Sequence, residues 1–235
     1  DAPHARIGAP LVDAPWVESF ERQWVQFWDD YPGVLDNNPT RDLLASLCVP
    51  EPRVDLLLRD GDEVSMGGRQ LRVIETRGHT WGHCAYFDEQ SQSLFTGDAV
   101  QGRGIRSSDG TTVFAPLYVD VSEARWGLRR LLDVPFEQLC PAHVAPMDRD
   151  AGLAFLRESL DFIDEVDELT RTMVEHSAPS PVLTRDVATA IGELIGTNPP
   201  LTPQTAPTAR AHLYQLAREG LLDAAWIATG VVNDR

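Results

Sequence analysis

The most informative part of this chain is RGHTWGHCAYFDEQSQSLFTGD, which runs from Arg77 to Asp98. It contains two histidines four residues apart, then a strand-like segment, a polar turn and a second strand-like segment that stops at Gly97-Asp98. Two such segments on either side of a polar turn are typical of a β-hairpin. The histidines before the hairpin and the aspartate after it indicate a candidate metal site.

Three polar residues share one sequence context. His79, Asp98 and His143 each follow a strand-like segment, open a loop and have small neighbours. Strand ends that converge on one sheet edge bring distant residues together, and two imidazoles with a carboxylate match the ligands that zinc prefers. By spacing alone, a metal site and scattered structural residues are about equally supported.

The other histidines are expected to have supporting roles. His83 lies in or next to a strand, so it is predicted to pack behind the ligands rather than to bind metal. His4, His176 and His212 lie in surface-like or helical contexts, and structural roles are expected for them.

Composition excludes several classes of protein. The chain has 235 residues, 43% of them hydrophobic, so it can bury a proper core. Its net charge of −16 argues against binding to nucleic acid or to an anionic membrane. The apolar runs are far shorter than the roughly 18 residues that span a bilayer. Three widely spaced cysteines favour reduced thiols in a cytoplasm over a disulfide framework.

Patterning predicts the elements around these residues. Before the central motif, a strand is expected in ARIGAPLVD, one helix in APWVESFERQWVQFWDDY and a hairpin of VDLLL with LRVIET. After it, a loop is expected over 101–117, then a helix in SEARWGLRRLLDV with Ser122 as N-cap, and finally a strand in EQLCPAHVAP. The first helix carries an aromatic stripe, which fits either a core or the wall of a substrate pocket: Phe20, Trp24, Phe27, Trp28 and Tyr31.

From residue 150 onward the pattern is helical. A long amphipathic helix is followed by helices at about 183–194 and 206–219, and GLLDAAWIATGVV is predicted to form a terminal strand or hairpin. This order resembles a winged-helix module. We therefore expect two domains, over 1–149 and 150–235.

The motifs as a set resemble a known family. The chain resembles the second half of the metallo-β-lactamase superfamily in three motifs, RGHTWGH, FTGD and CPAH. The aspartate of FTGD lies 19 residues after His79, and the histidine of CPAH lies 45 residues after that aspartate. The resemblance is to glyoxalase II-like proteins and to β-lactamase-like hydrolases that carry a C-terminal winged helix. The segment TARAHLYQLAREGLL resembles the recognition helix of that C-terminal domain. It implies an α+β fold, the αββα sandwich, with its N-terminal part missing from this chain.

The resemblance also implies a mechanism. His79 would ligate a first zinc and His143 a second, with Asp98 bridging both as the catalytic carboxylate; iron or manganese could replace zinc. A hydroxide shared by two metals about 3.5–4 Å apart would attack the substrate. The expected function is hydrolysis of a small ester, thioester or lactone.

One departure from the family is clear. Its H-x-H-x-D-H loop is missing, since this sequence has no H-x-H. The loop is expected in a segment before residue 1, which the absence of an initial methionine favours; alternatively, a separate chain supplies it, or the chain is an inactive fragment.

Substrate contacts and alternative functions are less specific. Arg103 and Arg106 follow Asp98 and could contact an anionic substrate group, although the pattern slightly favours solvated arginines. Trp81 and Tyr118 are further pocket candidates. The alternatives are an inactive or regulatory binding protein and, less favoured by the charge, an RNA-processing nuclease. The expected partner is a small molecule, with no nucleic acid and no membrane, and the C-terminal module could support a homodimer.

Overall fold

A computed structural model describes residues 5–25, 37–48, 51–177 and 182–223, which contain ten strands and seven helices. The strands are β1 Gly8–Pro10, β2 Leu56–Leu58, β3 Glu63–Ser65, β4 Gln70–Glu75, β5 Cys84–Asp88, β6 Ser93–Gly97, β7 Ile105–Arg106, β8 Thr112–Phe114, β9 Gln138–Pro141 and β10 Met147–Asp148. The helices are α1 Ala14–Val17, α2 Phe20–Gln23, α3 Asn37–Leu47, α4 Val121–Leu132, α5 Arg149–Ser177, α6 Thr184–Ile195 and α7 Thr205–Arg218.

Six strands form the central sheet, in the order β10-β9-β6-β5-β4-β3. The predicted hairpin of β5 and β6 is confirmed, with Tyr86 opposite Phe95. All neighbours are antiparallel except β6 and β9, which are parallel and joined by a crossover that contains α4. As a result β4, β6 and β9 run in the same direction, and their C-terminal ends lie at one edge of the sheet.

Successive side chains point to opposite faces of this sheet, as the pleat requires. Ile74 and Ala85 belong to the large core that includes residues of α4 and α5. Val73 and Cys84 pack instead with Leu58, which belongs to the small parallel sheet of β1 and β2. Helices on one face and a second sheet on the other confirm the predicted α+β class.

The prediction of one continuous helix in APWVESFERQWVQFWDDY is wrong, because the described part of this segment forms two short helices. α1 ends at Val17, and Ser19 adopts an extended conformation with φ −152° and ψ 111°. Its hydroxyl accepts a hydrogen bond from the backbone N–H of Arg22 at 3.4 Å, so Ser19 caps a second short helix. A local side-chain cap has interrupted an otherwise helical pattern.

The aromatic residues of this segment have mixed positions. Trp24 is buried, whereas Phe20 lines a surface cavity together with Trp16. Trp24 thus supports the core interpretation, whereas the substrate-pocket interpretation stays a prediction. Phe27, Trp28 and Tyr31 lie outside the described residues.

Three other local predictions need correction. The hairpin of VDLLL with LRVIET is wrong, because β2 pairs with β1 and the hairpin partner of β4 is β3. A short turn between β3 and β4 makes that local pairing entropically favourable. The 101–117 loop contains the small β7–β8 hairpin. The N-cap of α4 is Asp120, which accepts from Glu123 N at 3.0 Å, and not Ser122.

The C-terminal helices agree with the sequence. α6 and α7 match the predicted spans to within one residue at each end, and α6 ends at Gly196 in the left-handed conformation. The predicted terminal strand falls largely on 224–232, outside the described residues, so the winged helix stays a prediction. Val187 and Leu213 share one core cluster with sheet residues, so the core is continuous across residue 150. No helix among the described residues is long and apolar enough to cross a membrane.

Candidate metal centre

The three candidate ligands lie together at the edge where β4, β6 and β9 end. His79 is in the loop after β4, Asp98 directly follows β6, and His143 comes two residues after β9. His143 Nε2 lies 2.9 Å from Asp98 Oδ1, and His79 Nε2 lies 3.9 Å from Asp98 Oδ2. Each imidazole therefore faces a different oxygen of one carboxylate. Their role as ligands stays a prediction.

The orientation of His79 is set by a backbone carbonyl. Its Nδ1 lies 2.8 Å from the oxygen of Leu117, and a carbonyl oxygen can only accept a hydrogen bond. Nδ1 therefore carries the proton in the neutral ring, which leaves the Nε2 lone pair toward Asp98. This is the arrangement that orients metal-binding histidines in proteins.

Gln101 is a site residue that the sequence patterns did not indicate. Its Nε2 donates to Asp98 Oδ1 at 3.1 Å, and its Oε1 accepts from the N–H of Leu117 at 2.7 Å. Its side chain is almost fully buried. The only sequence signal is its position three residues after Asp98.

His83 lies behind the candidate ligands. Its Nδ1 is 2.8 Å from Thr76 Oγ1, and its ring meets that of His79 edge-on with 5.7 Å between centroids. Burial, together with the charge of His79, lowers the pKa of His83 to about 4. A Cβ on Gly97 would lie 3.0 Å from His83 Nε2, so a larger residue before Asp98 would press on this ring.

Asp13 ties the N-terminal segment to the loop of His79. Its carboxylate accepts hydrogen bonds from the hydroxyl of Thr80 and from Gly82 N, the latter at 2.8 Å. Burial raises the pKa of Asp13, although both hydrogen bonds act in the opposite direction. Sequence reasoning missed this residue, because its partners lie 67 and 69 positions away.

A cavity of about 310 Å³ opens beside the three candidate ligands. Its other walls are mostly apolar and include Trp16, Ile105, Phe114 and Leu117. Gln23 and Gln204 contribute amide groups at the same cavity. Such a mixture of apolar walls and a few polar groups is typical of small-molecule sites.

None of the four predicted substrate contacts is among the residues that line this cavity. Arg103 forms an ion pair with Glu165 of α5, in which Nη2 donates to Oε2 at 2.6 Å. Arg106 is exposed on β7, and Trp81 is 42% exposed in the loop after His79.

Tyr118, the fourth, is buried, and its hydroxyl lies 2.7 Å from His212 Nε2. His212 Nδ1 lies 2.6 Å from Asp167, which also pairs with Arg125. His212 lies on helix α7, one of the two contexts expected for it, and its ring is fully buried. Its contacts place it in a structural hydrogen-bond network.

The donor set fits a divalent metal. Two ligands of one tetrahedral zinc ion lie about 3.4 Å apart when its bonds are about 2.0–2.2 Å long. The separations of Asp98 from His143 and His79, 2.9 and 3.9 Å, lie on either side of that value. Within the described residues, no group of three or more His, Cys, Asp or Glu is arranged to hold an ion. The site thus consists of two pairs of candidate ligands that share one carboxylate.

Comparison with known proteins shows which proteins this chain is similar to. The family model of the metallo-beta-lactamase superfamily matches residues 5–171. A hydroxyacylglutathione hydrolase from Methylococcus capsulatus is 29% identical over 171 residues, covering 69% of this chain and 58% of that protein. Another from Cereibacter sphaeroides is 37% identical over 94 residues, 39% of this chain and 33% of that protein. An acyl-coenzyme A thioesterase from Gallus gallus is 33% identical over 100 residues, 41% and 34% of the two chains.

The chain thus spans between 33% and 58% of the length of these relatives. Two solved structures share its fold. A metallo-beta-lactamase family protein from Thermus thermophilus has a TM-score of 0.64 at 20% identity, over 92% of this chain and 67% of that one. A beta-lactamase domain protein from Burkholderia ambifaria has a TM-score of 0.53 at 24% identity, over 73% and 49%.

Proposed function

Because this chain belongs to the metallo-β-lactamase superfamily, we propose that it is a metal-dependent hydrolase of a thioester, or of a related small ester or lactone. The observation that carries the proposal is the pairing of His79 and His143 with the two oxygens of Asp98. The names of its relatives, hydroxyacylglutathione hydrolase and acyl-coenzyme A thioesterase, support a thioester as the first candidate.

His79 and Asp98 would hold one divalent metal, and His143 and Asp98 a second. Zinc is our first choice, with iron or manganese as alternatives. When bound, such a metal acidifies a water and polarises the substrate carbonyl. The Leu117 carbonyl keeps His79 in the tautomer that offers Nε2, and Asp98 places its negative charge between the two imidazoles.

The cavity beside the ligands would take the acyl part of the substrate. Trp16, Ile105 and Phe114 provide apolar walls that exclude water, while the amides of Gln23 and Gln204 offer hydrogen bonds. A contact between Arg103 and an anionic substrate group would require this arginine to exchange its pairing with Glu165.

The partner we propose is a small molecule rather than a nucleic acid or a membrane. The net charge is −16, and residues 177–235 carry four arginines and five acidic residues, so the C-terminal module lacks the basic character that phosphate binding requires. This module would serve packing or homodimer formation. All three cysteines are unpaired, which supports a cytoplasmic location.

Elemental analysis of the purified protein tests the metal centre. We expect bound divalent metal in the wild type and loss of most of it in His79→Ala and His143→Ala, because each substitution removes one imidazole ligand. His176→Ala is the matched control, since His176 is exposed on α5 and, among the described residues, bonds only to the carbonyl of Thr172 in its own helix. A wild-type protein without metal would contradict the proposal and favour a binding protein of the same fold.

The position of His83 behind the ligands makes a separate prediction. His83→Ala should leave the metal content largely intact, and equal metal loss in His79→Ala and His83→Ala would contradict this ranking.

Hydrolysis assays then identify the chemistry. A hydroxyacyl-glutathione, an acyl-coenzyme A, a lactone and single-stranded RNA should be compared before and after treatment with a chelator. We expect chelator-sensitive cleavage of at least one of the first three. Metal-dependent cleavage of the RNA alone would instead assign the chain to the nucleases.

A further inference from the structure

We propose that helix α7 and Gln101 position His79 for metal binding by fixing the backbone of residues 116–118. The inference rests on the proposed function, because it concerns the orientation of a ligand of that centre. It gives the C-terminal helices a role in the site at the edge of the sheet.

The peptide units of Leu117 are the point at which these contacts meet. The carbonyl of Leu117 accepts from His79 Nδ1 at 2.8 Å, and its N–H donates to Gln101 Oε1 at 2.7 Å. Leu117 itself is buried. A shift of this backbone would therefore change the direction in which His79 presents Nε2.

Gln101 connects this backbone to the shared carboxylate. While its Oε1 accepts from Leu117, its Nε2 donates to Asp98 Oδ1 at 3.1 Å. One buried amide thus links Asp98 to the backbone that orients His79. A hydrophobic side chain of similar size would fill the space but make neither bond.

Helix α7 binds the residues on both sides of Leu117. The hydroxyl of Thr208 donates to the carbonyl of Pro116 at 2.8 Å and accepts from the N–H of Tyr118 at 3.4 Å. The Tyr118 hydroxyl also lies 2.7 Å from His212 Nε2 on the same helix. Thr208 and His212 are fully buried, so water does not compete for these bonds. The segment 116–118 lies outside any helix or strand, and these contacts take the place of a sheet ladder.

The expected effect is on metal affinity. Loss of an outer partner of a metal ligand typically weakens binding by about 10–100-fold. We expect weakening of this size in Gln101→Leu and Thr208→Val, measured as the zinc dissociation constant by competition with a coloured chelator. Thr208→Ser keeps the hydroxyl and should restore the wild-type value.

Thr170→Val is the matched control. Thr170 is a fully buried helical threonine, like Thr208, but its hydroxyl bonds within α5, to the carbonyl of Val166 at 2.8 Å. This variant should lose stability and keep its zinc affinity. If it weakens zinc binding as much as Thr208→Val does, or if Gln101→Leu and Thr208→Val both bind zinc like the wild type, the proposal is overturned.

A readout without metal separates this inference from the proposed function. In the metal-free wild type, nitrogen NMR of the histidine rings should show His79 as a single tautomer protonated at Nδ1. Thr208→Val and Gln101→Leu should give a mixture of tautomers. Absence of zinc binding in the wild type would refute the proposed function alone, whereas an unchanged single tautomer in both variants would refute the positioning role.

Discussion

Gly78, directly before His79, combines a backbone conformation and a contact that only glycine tolerates. Its φ is +126°, and a Cβ at this position would lie 2.5 Å from the Cα of Ala124. The loop that carries His79 therefore lies directly on α4, and the Gly78 carbonyl accepts a hydrogen bond from Val119 N at 2.7 Å. The direction of His79 depends on this close approach.

Gly78→Ala should consequently destabilise the protein. The strained conformation alone costs about 1–3 kcal/mol, and the clash with backbone atoms of α4 adds to it. Urea denaturation of the metal-free protein measures the change in the free energy of unfolding.

Gly67→Ala provides the control, since Gly67 also has a positive φ, +60°, but has no neighbouring atom within 4 Å of the added Cβ. It should cost only about 1–2 kcal/mol, for the left-handed conformation. Equal losses in the two variants would show that the contact with α4 is unimportant.

Three helices are joined by one polar network, in which Tyr118 and His212 are buried and Arg125 and Asp167 are partly buried. Arg125 of α4 and His212 of α7 both bond to Asp167 of α5, and Tyr118 bonds to the other nitrogen of His212. Burial lowers the pKa of His212, although its hydrogen bond to Asp167 opposes this shift. Burial would raise the pKa of Asp167, but His212 and Arg125 together bring it below its ordinary value. The pKa of Tyr118 is raised well above 10 by its burial, so its hydroxyl stays protonated.

Stability should therefore fall in mild acid. The pKa of His212 is lowered in the folded state, so at a pH below about 6.5 the unfolded chain takes up a proton that the native protein does not. The free energy of unfolding should decrease as pH falls from about 6.5 toward the lowered value, with His212 contributing at most about 1.4 kcal/mol per pH unit. His83, whose pKa is lowered to about 4, should add a separate contribution of the same sign. The stabilisation that follows from the lowered pKa of Asp167 should be lost only at still lower pH.

Urea denaturation between pH 7.5 and 5 measures this slope. His212→Gln cannot titrate and should show a smaller dependence on pH, whereas His176→Gln, on the exposed face of α5, should behave like the wild type. An unchanged slope in His212→Gln would mean that another group titrates in this range.

At the scale of the whole molecule, one core joins the sheet to the C-terminal helices. Ile74 and Ala85 of the sheet, Ile163 of α5 and Ile191 of α6 all belong to it. The described parts of the predicted segments 1–149 and 150–235 are thus packed against each other through fully or almost fully buried side chains. This favours cooperative unfolding of the described residues.

Ile191→Ala tests that cooperativity. Removal of a fully buried isoleucine side chain should cost about 2–5 kcal/mol. The free energy of opening that amide hydrogen exchange measures should then decrease by the same amount in β5 and β6 as in α6. Faster exchange confined to α6 and α7 would show instead that the C-terminal helices form an independent unit.

The sequence by itself determined the parts of the protein that depend on local pattern and residue type. The β5–β6 hairpin follows from alternation around a polar turn, and the convergence of His79, Asp98 and His143 follows from strands that end at one edge. The hairpin depends on short-range backbone geometry, which the order of apolar and polar residues encodes. The convergence also requires the parallel pairing of β6 with β9, two strands that are distant in the chain.

Only the tertiary structure decided how these ligand candidates are held. Leu117 is 38 residues from His79, and Thr208 is 92 residues from Pro116. Gln101 lies near Asp98 in the chain, but its second bond is to Leu117, 16 residues away. The reason is physical: a buried backbone carbonyl or amide must find a partner wherever packing places one, and that partner is set by the fold rather than by spacing along the chain.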